Sequence, residues 1–163
     1  MKYQPLIFVG RVKESSDYGR TAMEKQSVDG DIMLTQLGLV GDEQAESKFH
    51  GGVDRALCHY PNEHYDYWKN IYPDLAQVFK ASSFGENIST QGMIEYNVYI
   101  GDIYQWGDAI IQVTQPRSPC AKLNRLTKQE NFSLTMQNSG RMGWLYRVIK
   151  TGMVSSDAPL TLL

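Results

Sequence analysis

Cys120 stands in Gln115-Pro116-Arg117-Ser118-Pro119-Cys120-Ala121-Lys122-Leu123-Asn124, directly after the apolar run Ala109-Ile110-Ile111-Gln112-Val113-Thr114. A strand that runs into Pro116 and Pro119 presents the thiol from a stiff loop, because each proline fixes its own φ. Arg117 and Lys122 flank the thiol, and Gln115, Ser118 and Asn124 are hydrogen-bonding types. Cationic neighbours favour the thiolate, which is both nucleophile and metal ligand. These residues leave two chemistries open, attack and ligation. Cys58 lacks such flanks. It lies between Leu57 and His59 in a strand-like run, so the reading there is a small buried hydrophobe.

Two other segments could carry chemistry. In Phe49-His50-Gly51-Gly52-Val53-Asp54-Arg55-Ala56, adjacent glycines would let backbone N–H groups approach a ligand closely. Arg55 could grip an oxyanion with a forked pair of bonds, and His50 could donate, accept or ligate. The plainer reading is a Gly-Gly turn with a solvated Asp54–Arg55 pair. In Phe84-Gly85-Glu86-Asn87-Ile88, Gly85 permits a turn and the Asn87 amide could read a heterocycle edge. Here the plainer reading is a hairpin entry with Glu86 in solvent.

His59 and His64 are five apart. A two-histidine metal site on one helix wants a spacing of four, so ordinary partners are expected for both. The aromatic stretch Tyr60, Tyr65, Tyr67, Trp68 and Tyr72 adjoins no basic run, which favours packing over base stacking. Neither G-x-x-x-x-G-K-[ST] nor G-x-G-x-x-G occurs, which argues against an ordinary nucleotide-binding fold.

The elements that must position these residues are short. Strands are expected at Leu6–Lys13, Arg55–Tyr60, Asn87–Thr90, Asn97–Ile100, Ile103–Trp106, Ile110–Thr114, Trp144–Ile149, Gly152–Val154 and Pro159–Leu163. Asp29-Gly30 reads as a hairpin turn between Lys25–Val28 and Asp31–Thr35. Helices are expected from Pro61 through Tyr72, over Pro73–Lys80 and over Thr127–Gln137. Strands at such spacing predict a mainly β (α+β) fold, a barrel or sandwich with a few short peripheral helices. With 163 residues, one domain over 1–163 is the simplest organisation. A net charge of -2 gives no general attraction to nucleic acid or to an anionic membrane. No stretch approaches the roughly 18 apolar residues of a span, so a cytoplasmic location with reduced thiols is the default.

Taken in order and spacing, five segments resemble the MOSC domain family, and within it the stand-alone YiiM-type proteins. They are Leu39–Ala45, Phe49–Leu57, Phe84–Asn87, Asn97–Asp102 and Gln115–Cys120. The resemblance implies a barrel-like fold that binds a molybdenum–pyranopterin (molybdopterin) cofactor. Cys120 would then be the protein thiolate on molybdenum, consistent with the affinity of soft ligands for a sulfur-rich centre. Arg55, Arg117 and Lys122 would meet the cofactor's phosphate, with Arg20 a further candidate. Gly51, Gly52, Ser118, Asn87, Gln115 and Asn124 would bind the rest of it. His50 and Asp54 would line the metal face as catalytic residues.

The implied activity is reduction of N-hydroxylated small molecules, such as hydroxylamines and N-hydroxylated purine analogues. Electrons would come from an external redox protein, since nothing in the sequence binds flavin or iron–sulfur. A homodimer is a further possibility. The alternative is a molybdenum cofactor or sulfur carrier that uses the same cysteine. Such family members usually continue into a small C-terminal helical domain, whereas this sequence stops at Leu163.

Overall fold

The computed structural model describes residues 1–46, 48 and 51–163. In chain order its strands are β1 (Lys2–Tyr3), β2 (Leu6–Val9), β3 (Lys13–Ser15), β4 (Gly19–Thr21), β5 (Gln26–Ser27), β6 (Asp31–Thr35), β7 (Gly38–Leu39), β8 (Leu57–His59), β9 (Ile88–Ser89), β10 (Ile103–Trp106), β11 (Ala109–Pro116), β12 (Trp144–Lys150), β13 (Gly152–Ser155) and β14 (Leu160–Leu162). The α-helices are α1 (Glu63–Ile71), α2 (Lys122–Thr127) and α3 (Phe132–Ser139), and short 3-10 turns cover Val53–Arg55 and Pro73–Leu75. This is a sheet-rich α+β fold.

Nine strands form one sheet in the order β1-β14-β10-β11-β12-β8-β9-β2-β5. Among the described residues no pairing joins β5 back to β1, so the expected barrel closure is not found. A three-stranded sheet β13-β6-β7 and the hairpin β3-β4 accompany it. The Asp29-Gly30 hairpin is also corrected. Both flanking strands exist, but β5 pairs with β2 and β6 pairs with β13. A local turn signal lost to long-range pairing: β5 pairs over two residues with β2, and β6 over four with β13.

Other boundaries shift as well. Asn97–Ile100 is a turn, not a strand, with Asn97 Oδ1 accepting from Ile94 N at 3.0 Å. The expected helix Thr127–Gln137 becomes two, broken at Lys128 in the left-handed conformation (φ 54°).

Two apolar clusters hold the fold. One fills the face of the large sheet with Ile7, Leu34, Leu57, Trp106, Ile111 and Tyr146. The other packs Tyr60, Tyr65, Trp68, Phe79, Phe84 and Phe132, each at most 1% exposed. In α1 the 3–4 spacing of Tyr65 and Trp68 puts both rings inward. Ring centroids lie 5.0 Å apart for Tyr60–Phe84 and 4.9 Å for Trp68–Phe132. The aromatic stretch is therefore packing, as the lack of an adjoining basic run suggested. It also immobilises the backbone at Phe84, which matters for the site.

Candidate functional site

Three adjacent strands build the floor of the site. The β11–β12 ladder shifts register between Val113 and Gln115, and the residue skipped, Thr114, donates to the carbonyls of Asp54 (2.7 Å) and Leu145 (3.1 Å). Such a bulge bends the strand and re-aims the side chains past it. On its far side Gln115 lies opposite Leu145, which lies opposite Cys58 on β8. The row Gln115–Leu145–Cys58 lines a cavity of about 400 Å³. Pro116 ends the ladder, and the chain turns through Ser118 and Pro119 to Cys120, just ahead of α2.

Cys120, Arg55, Asn87, Gln115, Arg117, Ser118 and Lys122 all line this cavity. Residues scattered over some seventy positions are thus brought to one chamber. Asp54, Gly51, Gly52 and Asn124 do not line it. Asp54 lies on an exposed 3-10 turn, and its carboxylate pairs with Arg147 Nε at 3.0 Å rather than with Arg55. Asn124 accepts from Ser133 N at 2.7 Å and joins α2 to α3. His50 lies outside the described residues.

The sequence reading missed Cys58, Lys25 and Asp42. Cys58 lines the cavity, while its neighbours Leu57 and His59 are buried on the other face of β8. The signal was available, because side chains alternate along a strand. Burial pushes the Cys58 thiol pKa up, with nearby Arg117 partly opposing it. Lys25 and Asp42 form a buried pair at 2.5 Å. Asp42 also accepts from Gly10 N (2.9 Å) and Asn87 Nδ2 (2.7 Å). Asn87 in turn accepts from Cys58 N at 3.1 Å and donates to Phe8 O at 3.3 Å. Its amide knits the wall together, since both amide atoms already have protein partners.

Arg117 is the least ordinary group in the chamber. Its backbone N donates to Gly143 O at 3.0 Å, and its Nη2 donates to the carbonyl of Phe84. Its Nη1 is buried with no hydrogen-bond partner among the described residues. A buried orphan donor is costly, and an acceptor entering the cavity beside Arg117 would relieve that cost. Burial works against the guanidinium's charge, but the proximity of Cys58, Glu86 and Cys120 outweighs it and raises the pKa. Arg117 therefore stays cationic.

Glu86 is fully buried rather than solvated, which corrects the plainer reading of its segment. It accepts from Tyr65 Oη (2.7 Å), Ser82 N (2.7 Å) and Phe84 N (3.2 Å). Gly85 follows the turn with φ 76°, and a Cβ there would press on Met23 Cγ at 3.2 Å.

The two described histidines have ordinary partners. His59 meets Tyr146 Oη at 3.0 Å and Thr90 Oγ1 at 2.9 Å, and His64 meets Glu95 at 2.6 Å. No cluster of three His, Cys, Asp or Glu that could hold a metal occurs among the described residues.

A family model described as the MOSC domain matches residues 46–161. The whole chain is 54% identical to Protein YiiM of Escherichia coli (strain K12), covering 73% of that protein. The chain belongs to the MOSC domain family. The crystal structure of YiiM from Escherichia coli superposes with a TM-score of 0.84 and 48% identity, over all of this chain and 70% of that one. A protein of Gibberella moniliformis named "Reductase" is 38% identical over 96% of this chain, which spans 28% of its length. The MOSC model spans Arg55, Cys58, Asn87 and the Cys120 loop, so most of the cavity wall lies within the family-defining region. The β3–β4 hairpin and Lys25 lie before it.

Proposed function

We propose that this cavity binds a molybdenum–pyranopterin cofactor and that the protein reduces N-hydroxylated small molecules. One observation carries the reading: a half-buried thiol, Cys120, shares a 400 Å³ chamber with Arg55, Arg117 and Lys122, one of whose buried donors has no partner. The donor set fits such a group. A single protein thiolate, Cys120, would suit a centre whose other sulfurs come from the pterin. When bound, the cofactor would supply two-electron chemistry at a sulfur-ligated metal.

The protein's own residues divide the remaining work. Cys120 would hold the metal, on a loop fixed by Pro119 and by Leu123 N donating to the Cys120 carbonyl at 3.1 Å. Arg117 Nη1, Arg55 and Lys122 would meet anionic oxygens of the cofactor. Gln115 and Ser118 would hydrogen-bond its ring system. Asn87 would act by fixing Asp42 and β8. The proton donor would be His50 or a water. Converting a hydroxylamine to an amine and water takes two electrons and two protons, so an external redox protein is the electron donor we assign. We propose that the reaction takes place in the cytoplasm. No helix among the described residues is long and apolar enough to cross a membrane.

The test is to purify wild type and Cys120→Ala from cells that make the cofactor. Molybdenum content, pterin fluorescence and viologen-linked reduction of a hydroxylamine are then measured. Wild type should carry molybdenum and turn over, and the variant should lose both. Absence of molybdenum and pterin from wild type would sink the reading. Bound cofactor without turnover would point to a carrier instead.

A further inference from the structure

A second chamber of about 330 Å³ adjoins the first, and Cys120 and Lys122 line both. Its other walls include Tyr18, Arg20, Glu46 and Arg125. We propose that this outer chamber is an anion subsite that holds the phosphate of a nucleotide-form substrate while the substrate's N–O group lies at Cys120. The inference rests on the reading of the inner cavity as the cofactor site.

Three cations converge here from separate parts of the chain. Arg20 comes from β4, in the hairpin β3–β4, and Lys122 and Arg125 from α2. Their mutual repulsion would drive the segments apart, yet the structure ties them together. Lys122 Nζ donates to Arg20 O at 3.1 Å, and Arg125 Nη1 donates to Tyr18 O at 3.3 Å. One carboxylate, Glu46, stands 3.9 Å from Lys122. The lining residues carry three positive groups against one negative, although the chain as a whole has a net charge of -2; beyond the lining, Asp17 and Glu24 act on Tyr18, and Glu24 is paired with Lys13.

Arginine presents forked donors that match phosphate oxygens, which a neutral substrate cannot use. The volume sits at the lower end of the roughly 300–1,000 Å³ typical of small-molecule sites, so it suits a sugar phosphate rather than water alone. A phosphate at Arg20 and Arg125 would point the rest of a nucleotide toward Cys120, the one cysteine on both chambers.

The experiment uses cofactor-loaded protein and two probes, an N-hydroxylated adenosine and its 5′-monophosphate. The monophosphate should show a KM about tenfold lower, the gap expected for charged hydrogen bonds at a partly exposed site, and the gap should shrink as salt rises. Arg125→Gln should raise the KM for the monophosphate several-fold, leave the nucleoside KM and pterin content unchanged, and be partly rescued by Arg125→Lys. Independently of turnover, adenosine 5′-monophosphate should bind wild type more tightly than adenosine by calorimetry, and Arg125→Gln should remove the difference.

Equal KM values, or equal binding of the two adenosines, would overturn the subsite. So would loss of pterin from Arg125→Gln, which would make the chamber part of the cofactor's own phosphate site. Failure to reduce either probe despite full cofactor would instead count against the proposed reductase activity, and the binding measurement would then decide the subsite alone.

Discussion

Asn87 donates through Nδ2 to Asp42 Oδ2 at 2.7 Å, and this bond joins the loop after β7 to the segment just ahead of β9. Asp42 in turn holds Lys25 and the Gly10 amide, while Asn87 holds the Cys58 amide. Asn87→Ala should therefore strip partners from a buried carboxylate and a buried N–H together. We expect a stability loss of about 1–3 kcal/mol, read by urea unfolding. Asn87→Asp should not rescue it, because it places a second carboxylate beside Asp42.

Arg117→Gln should lower stability by about 1.5–3 kcal/mol, the usual range for a lost charged hydrogen bond, because the Phe84 carbonyl loses its donor and buried Glu86 loses a nearby cation. Retention of pterin through gel filtration should also fall. A variant as stable as wild type with full pterin would show that the orphan Nη1 has no ligand role.

Gly143 adopts φ 72°, and a Cβ there would sit 2.1 Å from His59 O. That contact is backbone, so no side chain can swing aside. Gly143→Ala should cost more than about 2 kcal/mol in thermal or urea unfolding, since it adds a steric clash to left-handed strain. It should also disturb the Arg117 N–Gly143 O bond of 3.0 Å.

His59 gives a pH signature. Burial lowers its pKa from 6.5 to about 3. Between these values the unfolded chain binds a proton that the folded chain does not, so stability falls as pH drops through that window. The slope from this group is about 1.4 kcal/mol per pH unit. Glu86 acts oppositely, because burial raises its pKa above 4.5 and its protonation favours the fold as pH falls. The useful quantity is thus a difference. His59→Gln should flatten the loss of stability between pH 6.5 and 4 relative to wild type, measured by urea midpoints at each pH. Parallel curves would show that His59 is not the group responsible.

Much of the architecture was legible locally. Ile103–Trp106 is the expected strand, with burial alternating along it, and α1 starts within the Pro61–Tyr65 turn because Tyr65 and Trp68 recur at helical spacing. The Pro-framed loop identified Cys120 as presented rather than packed, and it lines the cavity. These features depend on dihedral limits and on periodicity, which neighbours in sequence determine.

What sequence alone could not decide was which distant groups share a wall. Asp54 and Arg55 are adjacent, yet one pairs with Arg147 at the surface and the other lines the cavity. Cys58 enters the site because β8 pairs with β12 in one register, and a slip by one residue would have turned it away. Glu86 accepts from the nearby Ser82 and Phe84 amides, but it is Tyr65 of α1 that reaches it from a distant segment. Residue types and local spacing determined a thiol held on a rigid loop. Only the packed sheet decided what surrounds that thiol, because strand register and buried hydrogen-bond partners are set by contacts between segments far apart in the chain.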